Sequence, residues 1–240
     1  MTPRPHARTR RAACSLVLMS AGLLALAGCD PRTLFYFIQP NEPTIPVPEG
    51  SPSLVGKRVA VVAHASSGAQ GEFPALEREF AREFSRRLQK NVKKIDMVSQ
   101  EKVWDWVDGH TDWNNPAEIA RAFEADYVIF LEIESFKTKE AGDLNVLHGT
   151  SRTHIQAIAL DYPKNSRGKR LTDQPKEEET VYDDYQETEF PKRGPIPTDT
   201  GTSAAKFKKT FLKVVAVECT WHFLEHAPED AIGDTRINDH

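Results

Sequence analysis

The sequence predicts a single α/β domain: a mixed sheet of about five strands with helices packed on it in two or three layers, closed by a hairpin and a long helix. Three observations predict it. Gly56 to His64 is a turn signal followed by a short, β-branched apolar run, as a buried central strand reads. The segments that follow alternate as strand, helix, strand, helix, helix, strand, an order that implies parallel pairing through right-handed crossovers. Two alternating segments and one long amphipathic run then replace that rhythm.

After the first strand, Ser66-Ser67-Gly68-Ala69-Gln70-Gly71 reads as a loop, and Pro74 opens a helix whose Leu76, Phe80, Phe84 and Leu88 recur every four residues on one face. The other face carries Glu83 with Arg86 and Arg87 at ion-pair spacing. Ile95 to Val98 makes a second strand, and Ser99 is placed to cap a helix containing Val103, Trp106 and Val107. Asn115-Pro116-Ala117-Glu118 combines a capping side chain, a first-turn proline and an acid at the positive end of the dipole. That helix buries Ile119 and Phe123 and leads into the strand Tyr127 to Ile133. Thr153 to Tyr162 and Thr180 to Phe190 form an antiparallel hairpin across a polar stretch, the second strand kept soluble at an edge by Asp183, Asp184, Glu187 and Glu189. A helix from about Ser203 to His226, stopped by Pro228, packs along the sheet through Phe207, Phe211, Val214, Val215, Trp221 and Leu224.

The N-terminal region is of another kind. Arg4, Arg8, Arg10 and Arg11 precede an apolar stretch from Ala12 to Ala27, the order of a secretory signal peptide; the stretch contains Ser15, Ser20 and Gly22 and is short for a spanning helix. Leu26-Ala27-Gly28-Cys29 follows directly and resembles the lipobox of bacterial lipoproteins. The resemblance implies cleavage before Cys29 and lipid on its thiol, and two or three acyl chains hold a protein stably on a bilayer. The expected division is a signal peptide over 1–28, a lipidated, proline-rich tether over 29–55, the α/β domain over 56–227 and a flexible tail over 228–240. Within the tether, Leu34 to Ile38 is an apolar interruption expected to dock on the domain. Location is expected on the outer face of the inner membrane or the periplasmic face of the outer; Asp30 resembles the inner-membrane retention signal of enteric lipoproteins.

Composition narrows the function. Cys14 leaves with the signal peptide and Cys29 is consumed by lipid, so Cys219 is the one thiol left and no intramolecular disulfide can form. Four of the 31 basic residues and none of the 35 acidic ones lie in 1–28, so the mature chain carries 27 against 35, a net charge of −8. That balance argues against nucleic acid as a partner.

The succession of elements, with Ala125-Asp126-Tyr127-Val128-Ile129 entering a strand before a hairpin and a closing helix, is similar to a group of envelope proteins. The group includes the curli-secretion lipoproteins, the lipoprotein activators of peptidoglycan synthases and the N-terminal domain of the Tol propeller protein. The resemblance spans most of 56–226 and implies a small α/β domain without an active site that contacts other envelope proteins. The long insertion between the hairpin strands departs from the compact members, and no pore-forming hairpins are evident.

Five groups of residues carry candidate chemistry. Trp104 and Trp113, near Asp105, Asp108 and Asp112, are expected with Tyr182 and Tyr185 to contact a partner, since exposed aromatic residues anchor interfaces. His222-Phe223-Leu224-Glu225-His226 matches the H-x-x-E-H arrangement, in which two histidines one helical turn apart bind zinc and the glutamate acts as base; histidines in a last helical turn are also favoured simply by the dipole. His64, His110, His148 and His154 are scattered, with no sequence reason to converge. Ser66 to Gly71 lies where phosphates bind but lacks both the G-K-[ST] ending and the three-glycine fingerprint, and the acids at 177–189 lack calcium-loop spacing. The sequence therefore predicts a non-catalytic, cofactor-free envelope lipoprotein that binds a protein partner. The competing readings are a lipid-anchored zinc hydrolase using His222, Glu225 and His226, and a small-solute receptor with a closed apolar pocket under residues 65–72.

Overall fold

The computed structural model describes residues 44–111, 113–140, 143–167, 171, 177–198 and 202–226. The sheet runs β2-β1-β3-β4-β5, where β1 is Arg58–Ala65, β2 Asp96–Met97, β3 Tyr127–Glu140, β4 Asp143–Asp161 and β5 Glu177–Phe190. The first three are parallel, with Val59 opposite both Met97 and Tyr127; β3, β4 and β5 form an antiparallel meander. A short β6, Ile196–Pro197, adds to β4 through Leu147. The helices are α1 (Ser67–Glu72), α2 (Leu76–Asn91), α3 (Gln100–Gly109), α4 (Pro116–Phe123) and α5 (Ala204–Thr220).

Because side chains alternate across a strand, β1 feeds two cores. Val59 and Val61 point to α2 and α5, joining Phe80, Phe84, Leu88, Phe211 and Val215, all fully buried or nearly so. Ala60 and Val62 point to α3 and α4, joining Val103, Ile119, Ala120 and Val128. The domain is thus a three-layer α/β structure over β1 and β3. The predicted stripe of α2 is wholly inside, and the Asn115 side chain accepts from the backbone of Ala117 and Glu118 as a cap should. Ser99 starts α3 as its N-cap, but its hydroxyl donates to Glu101 instead of accepting from the helix.

Several boundaries differ from expectation, each for a local reason. Strand β3 continues seven residues past Ile133, and β4 begins ten before Thr153, making one long hairpin. Register shifts between Ile133 and Ser135 and between Lys137 and Lys139 break the period-two pattern by which the extension would have been read. Ser66 caps a six-residue helix where a loop was expected. The closing helix ends at Thr220, not His226: the Thr220 hydroxyl donates to the Val217 carbonyl, and Trp221 and Phe223 bond three residues back. Part of the expected tether is packed on the domain, since Leu54 is 2 % exposed, Ile45 pairs with His226, and the Ser51 hydroxyl donates to the His222 carbonyl. The signal peptide, Cys29, the apolar interruption at 34–38 and the tail at 228–240 lie outside the described residues.

The approach of α5 to the hairpin rests on Gly149, whose position would place a Cβ 2.6 Å from two ring atoms of Phe211. Gly149→Ala is expected to lower stability by about 1–3 kcal/mol, the usual cost of overpacking, with recovery in the Gly149→Ala/Phe211→Leu double variant. Denaturant midpoints of the three chains check this, and an unaltered midpoint in Gly149→Ala would refute the close packing.

Candidate functional site

In the order β2-β1-β3 the chain leaves β1 toward one edge and returns past it to the other, so helices fall on opposite faces and a crevice opens at the carboxyl end of β1, beside the middle of β3. A pocket of about 310 Å³ lies at that point. Val62, Phe130 and Ile158 supply its apolar lining, and His64, Glu132, His154, Gln156, Trp113 and Asn114 its polar and aromatic rim. The strand registers bring these residues together: His64 stands opposite Glu132, Glu132 opposite His154, and His154 opposite Tyr185, a transverse row over four strands. Trp113 arrives from the α3–α4 connection and lays its ring 4.8 Å from that of His64.

Hydrogen bonds fix part of this row and leave part of it open. Asp183 meets His154 Nε2 at 2.6 Å and accepts from Gln156 Nε2 at 2.8 Å. These contacts, that of Gln156 foremost, hold its carboxyl below the usual range. His64 Nδ1 faces Glu77 at 3.1 Å, while the same Glu77 oxygen accepts from the Ala65 backbone and from Gln70. Glu132 is left with a distant neighbour, His154 Nδ1 at 3.9 Å, and its side chain is 58 % exposed. Tyr185, 42 % exposed, stacks on His154 with ring centres 4.5 Å apart, and the Arg152 guanidinium lies 4.4 Å over its ring. Arg152 is itself paired with Glu134 at 3.1 Å. Beyond α3 and α4 this face of β3, β4 and β5 has no helix on it among the described residues; the helix packed on β5, α5, lies on the opposite face.

Of the aromatic residues expected at a contact, Trp113 and Tyr185 therefore share this face. Tyr182 does not: three residues from Tyr185 on a strand it points the other way, and it is 6 % exposed under α5. Trp104 stands apart, its ring beneath Arg82 at 5.0 Å and Arg78 at 5.6 Å. His64 and His154, which the sequence gives no reason to associate, line one pocket, whereas His110 stacks on Trp106 and His148 pairs with Glu189.

The H-x-x-E-H match does not form a zinc site. Its residues follow the end of α5, so the one-turn helical spacing of the two histidines is lost. His222 is buried with both nitrogens engaged, Nδ1 by the Tyr182 hydroxyl at 2.6 Å and Nε2 by Gln186 Oε1 at 3.0 Å, while His226 stacks on Trp221. Among the described residues no group of three or more His, Cys, Asp or Glu is placed to hold a metal ion. Cys219 is fully buried, and that burial pushes its thiol far up. The receptor reading placed a closed apolar pocket under residues 65–72; α1 occupies that segment, and the pocket found lies on the other face with a polar rim.

No family model and no curated protein matches the chain. Among solved structures it is similar to a PelC dodecamer from Paraburkholderia phytofirmans, at 13 % identity over 69 % of this chain and 90 % of that one, with a TM-score of 0.36. It is similar to the hypothetical protein CT253 from Chlamydia trachomatis at 15 % identity, over 70 % and 96 % of the two chains, TM-score 0.39. For lipoprotein GNA1162 from Neisseria meningitidis the values are 12 %, 65 %, 90 % and 0.37.

The buried His222 yields a pH prediction. Burial lowers its pKa from 6.5, against the opposing charge of Asp184, so between the folded and unfolded values the unfolded chain binds more protons. The contribution is complete above pH ~6.5 and is lost as pH falls from there through the lower folded value. The unfolding midpoint is expected to drop between pH 7.5 and 5 more steeply in the natural chain than in His222→Gln; parallel curves would contradict it. Tyr182→Phe, which leaves Nδ1 without its donor, is expected to cost about 1–3 kcal/mol at pH 7.5.

Proposed function

We propose that this chain is a non-catalytic accessory lipoprotein of the cell envelope, held on a membrane by lipid on Cys29 and binding a protein partner through the face of β3, β4 and β5 that, among the described residues, carries no helix beyond α3 and α4. The observation that carries the reading is that face itself. The same three strands are covered by α5 on one side, yet on the other they present Tyr185, Arg152, His154 and a pocket to solvent. Ringed, charged and concave features in one patch are what protein interfaces use, with aromatic and arginine side chains as anchors.

The anchor is supported by Leu26-Ala27-Gly28-Cys29 behind a basic and then apolar leader. Among the described residues no helix is long and apolar enough to cross a membrane. A non-catalytic role is supported by His222, the first histidine of the one catalytic motif match, whose nitrogens are committed to Tyr182 and Gln186.

A photo-crosslinking residue in place of Tyr185 is expected to give a defined adduct with one envelope protein in cells, while the same residue in place of Lys209, exposed on α5, gives none. Cys29→Ser is expected to move the protein from the membrane fraction to the soluble one. Equal labelling from both positions would remove the face from consideration, and unchanged membrane retention of Cys29→Ser would remove the anchor.

A further inference from the structure

Resting on the protein-binding reading, we infer that the pocket between Trp113 and Glu132 receives the basic side chain of a lysine or arginine in an extended segment of the partner. The stem lies along Val62, Phe130 and Ile158, and the cationic head meets the Glu132 carboxylate.

The chemistry of the lining selects this ligand. Three of the pocket's donors are already committed to carboxylates: His64 Nδ1 faces Glu77, and His154 Nε2 and Gln156 Nε2 both face Asp183. The carboxylate in the lining left for a ligand is that of Glu132, 3.9 Å from His154 Nδ1, with the Gln156 oxygen beside it as a further acceptor. An anionic ligand would find no lysine or arginine in the lining, and a neutral polyol would leave the Glu132 charge unmatched. The surrounding face is acidic on balance: Glu134, Asp183, Glu187 and Glu189 lie on it against Lys137, in the row of Glu189, and Arg152, which is already paired with Glu134. A group that is apolar along its length and cationic at its tip fits both halves of the lining, with the Trp113 ring available as a cation–π wall.

The geometry also favours a side chain carried on a peptide over a free amine. At about 310 Å³ the pocket sits at the small end of ligand sites, roughly 300–1,000 Å³. It opens onto the sheet face toward β5, which ends the sheet order and carries Glu187, 78 % exposed, and Glu189 beyond Tyr185. Residues flanking the inserted one would thus lie over further acceptors.

The test is calorimetric titration of the full lipidated protein in detergent with four probes: a capped seven-residue Ser/Thr peptide with a central lysine, its norleucine and glutamate counterparts, and n-pentylamine. The lysine peptide is expected to bind at least tenfold more tightly than each of the other three. Glu132→Gln is expected to weaken it at least tenfold while the unfolding midpoint stays put, because Glu132 is exposed. Norleucine or glutamate binding as well as lysine, an unaffected Glu132→Gln, or no binding by any probe would overturn the inference. Pentylamine matching the peptide would overturn the peptide source. Crosslinking at Tyr185 with no probe binding would remove the lysine pocket and leave the docking face standing; lysine binding without a crosslinked partner would remove the docking face.

Discussion

Strand β1 is buried on both faces, and the rest of the domain is arranged to keep it so. Val59, Ala60, Val61 and Val62 are all within 3 % of complete burial, and a strand of that kind needs a neighbour on each edge and a helix on each face. The edges are taken by β2 and β3, the faces by α2 with α5 and by α3 with α4. Once both crossovers leave β1 in this way, a crevice at its carboxyl end is a topological necessity. The pocket at His64 is thus a product of how the core is closed.

Beyond α3 and α4, the antiparallel half of the sheet is covered on one side alone among the described residues, and the two sides show contrasting chemistry. Under α5, polar groups are tied into a chain: the Tyr182 hydroxyl to His222, His222 to Gln186, and Gln186 and Thr188 to the buried Glu218 carboxylate, with Lys192 3.4 Å from its other oxygen. Such a network, in a low-dielectric setting, favours one packing of helix on strand over its alternatives. On the outer side, Glu132, Glu187 and Tyr185 keep much of their surface in water. One side is tied into a network and the other stands in water.

Much of this was legible in the residues. The four-residue recurrence of Leu76, Phe80, Phe84 and Leu88 and the Asn115-Pro116 start are local signals that tertiary structure did not override. Trp113 and Tyr185, expected at a contact because of their type, do share one face. The pocket was not legible, since it arises from register: His64, Glu132 and His154 are far apart in sequence and meet when parallel and antiparallel pairings align them. A signal did exist, in that His64 closes the first apolar run, at the carboxyl end of β1, and Glu132 interrupts the third. Tyr182 was misplaced because β5 was read by composition, and a three-residue spacing reverses direction on a strand. The lower part of α5 was overextended because apolar periodicity continues through Trp221 and Leu224 after the hydrogen bonding has tightened.

The clasp between the two ends of the described chain has a mechanical side. Ile45 and His226 exchange backbone hydrogen bonds in both directions, and Ser51 holds the carbonyl of His222. Tension applied to the chain ahead of Thr44 therefore meets these three hydrogen bonds before it reaches β1, and the segment that follows His222 shares the load.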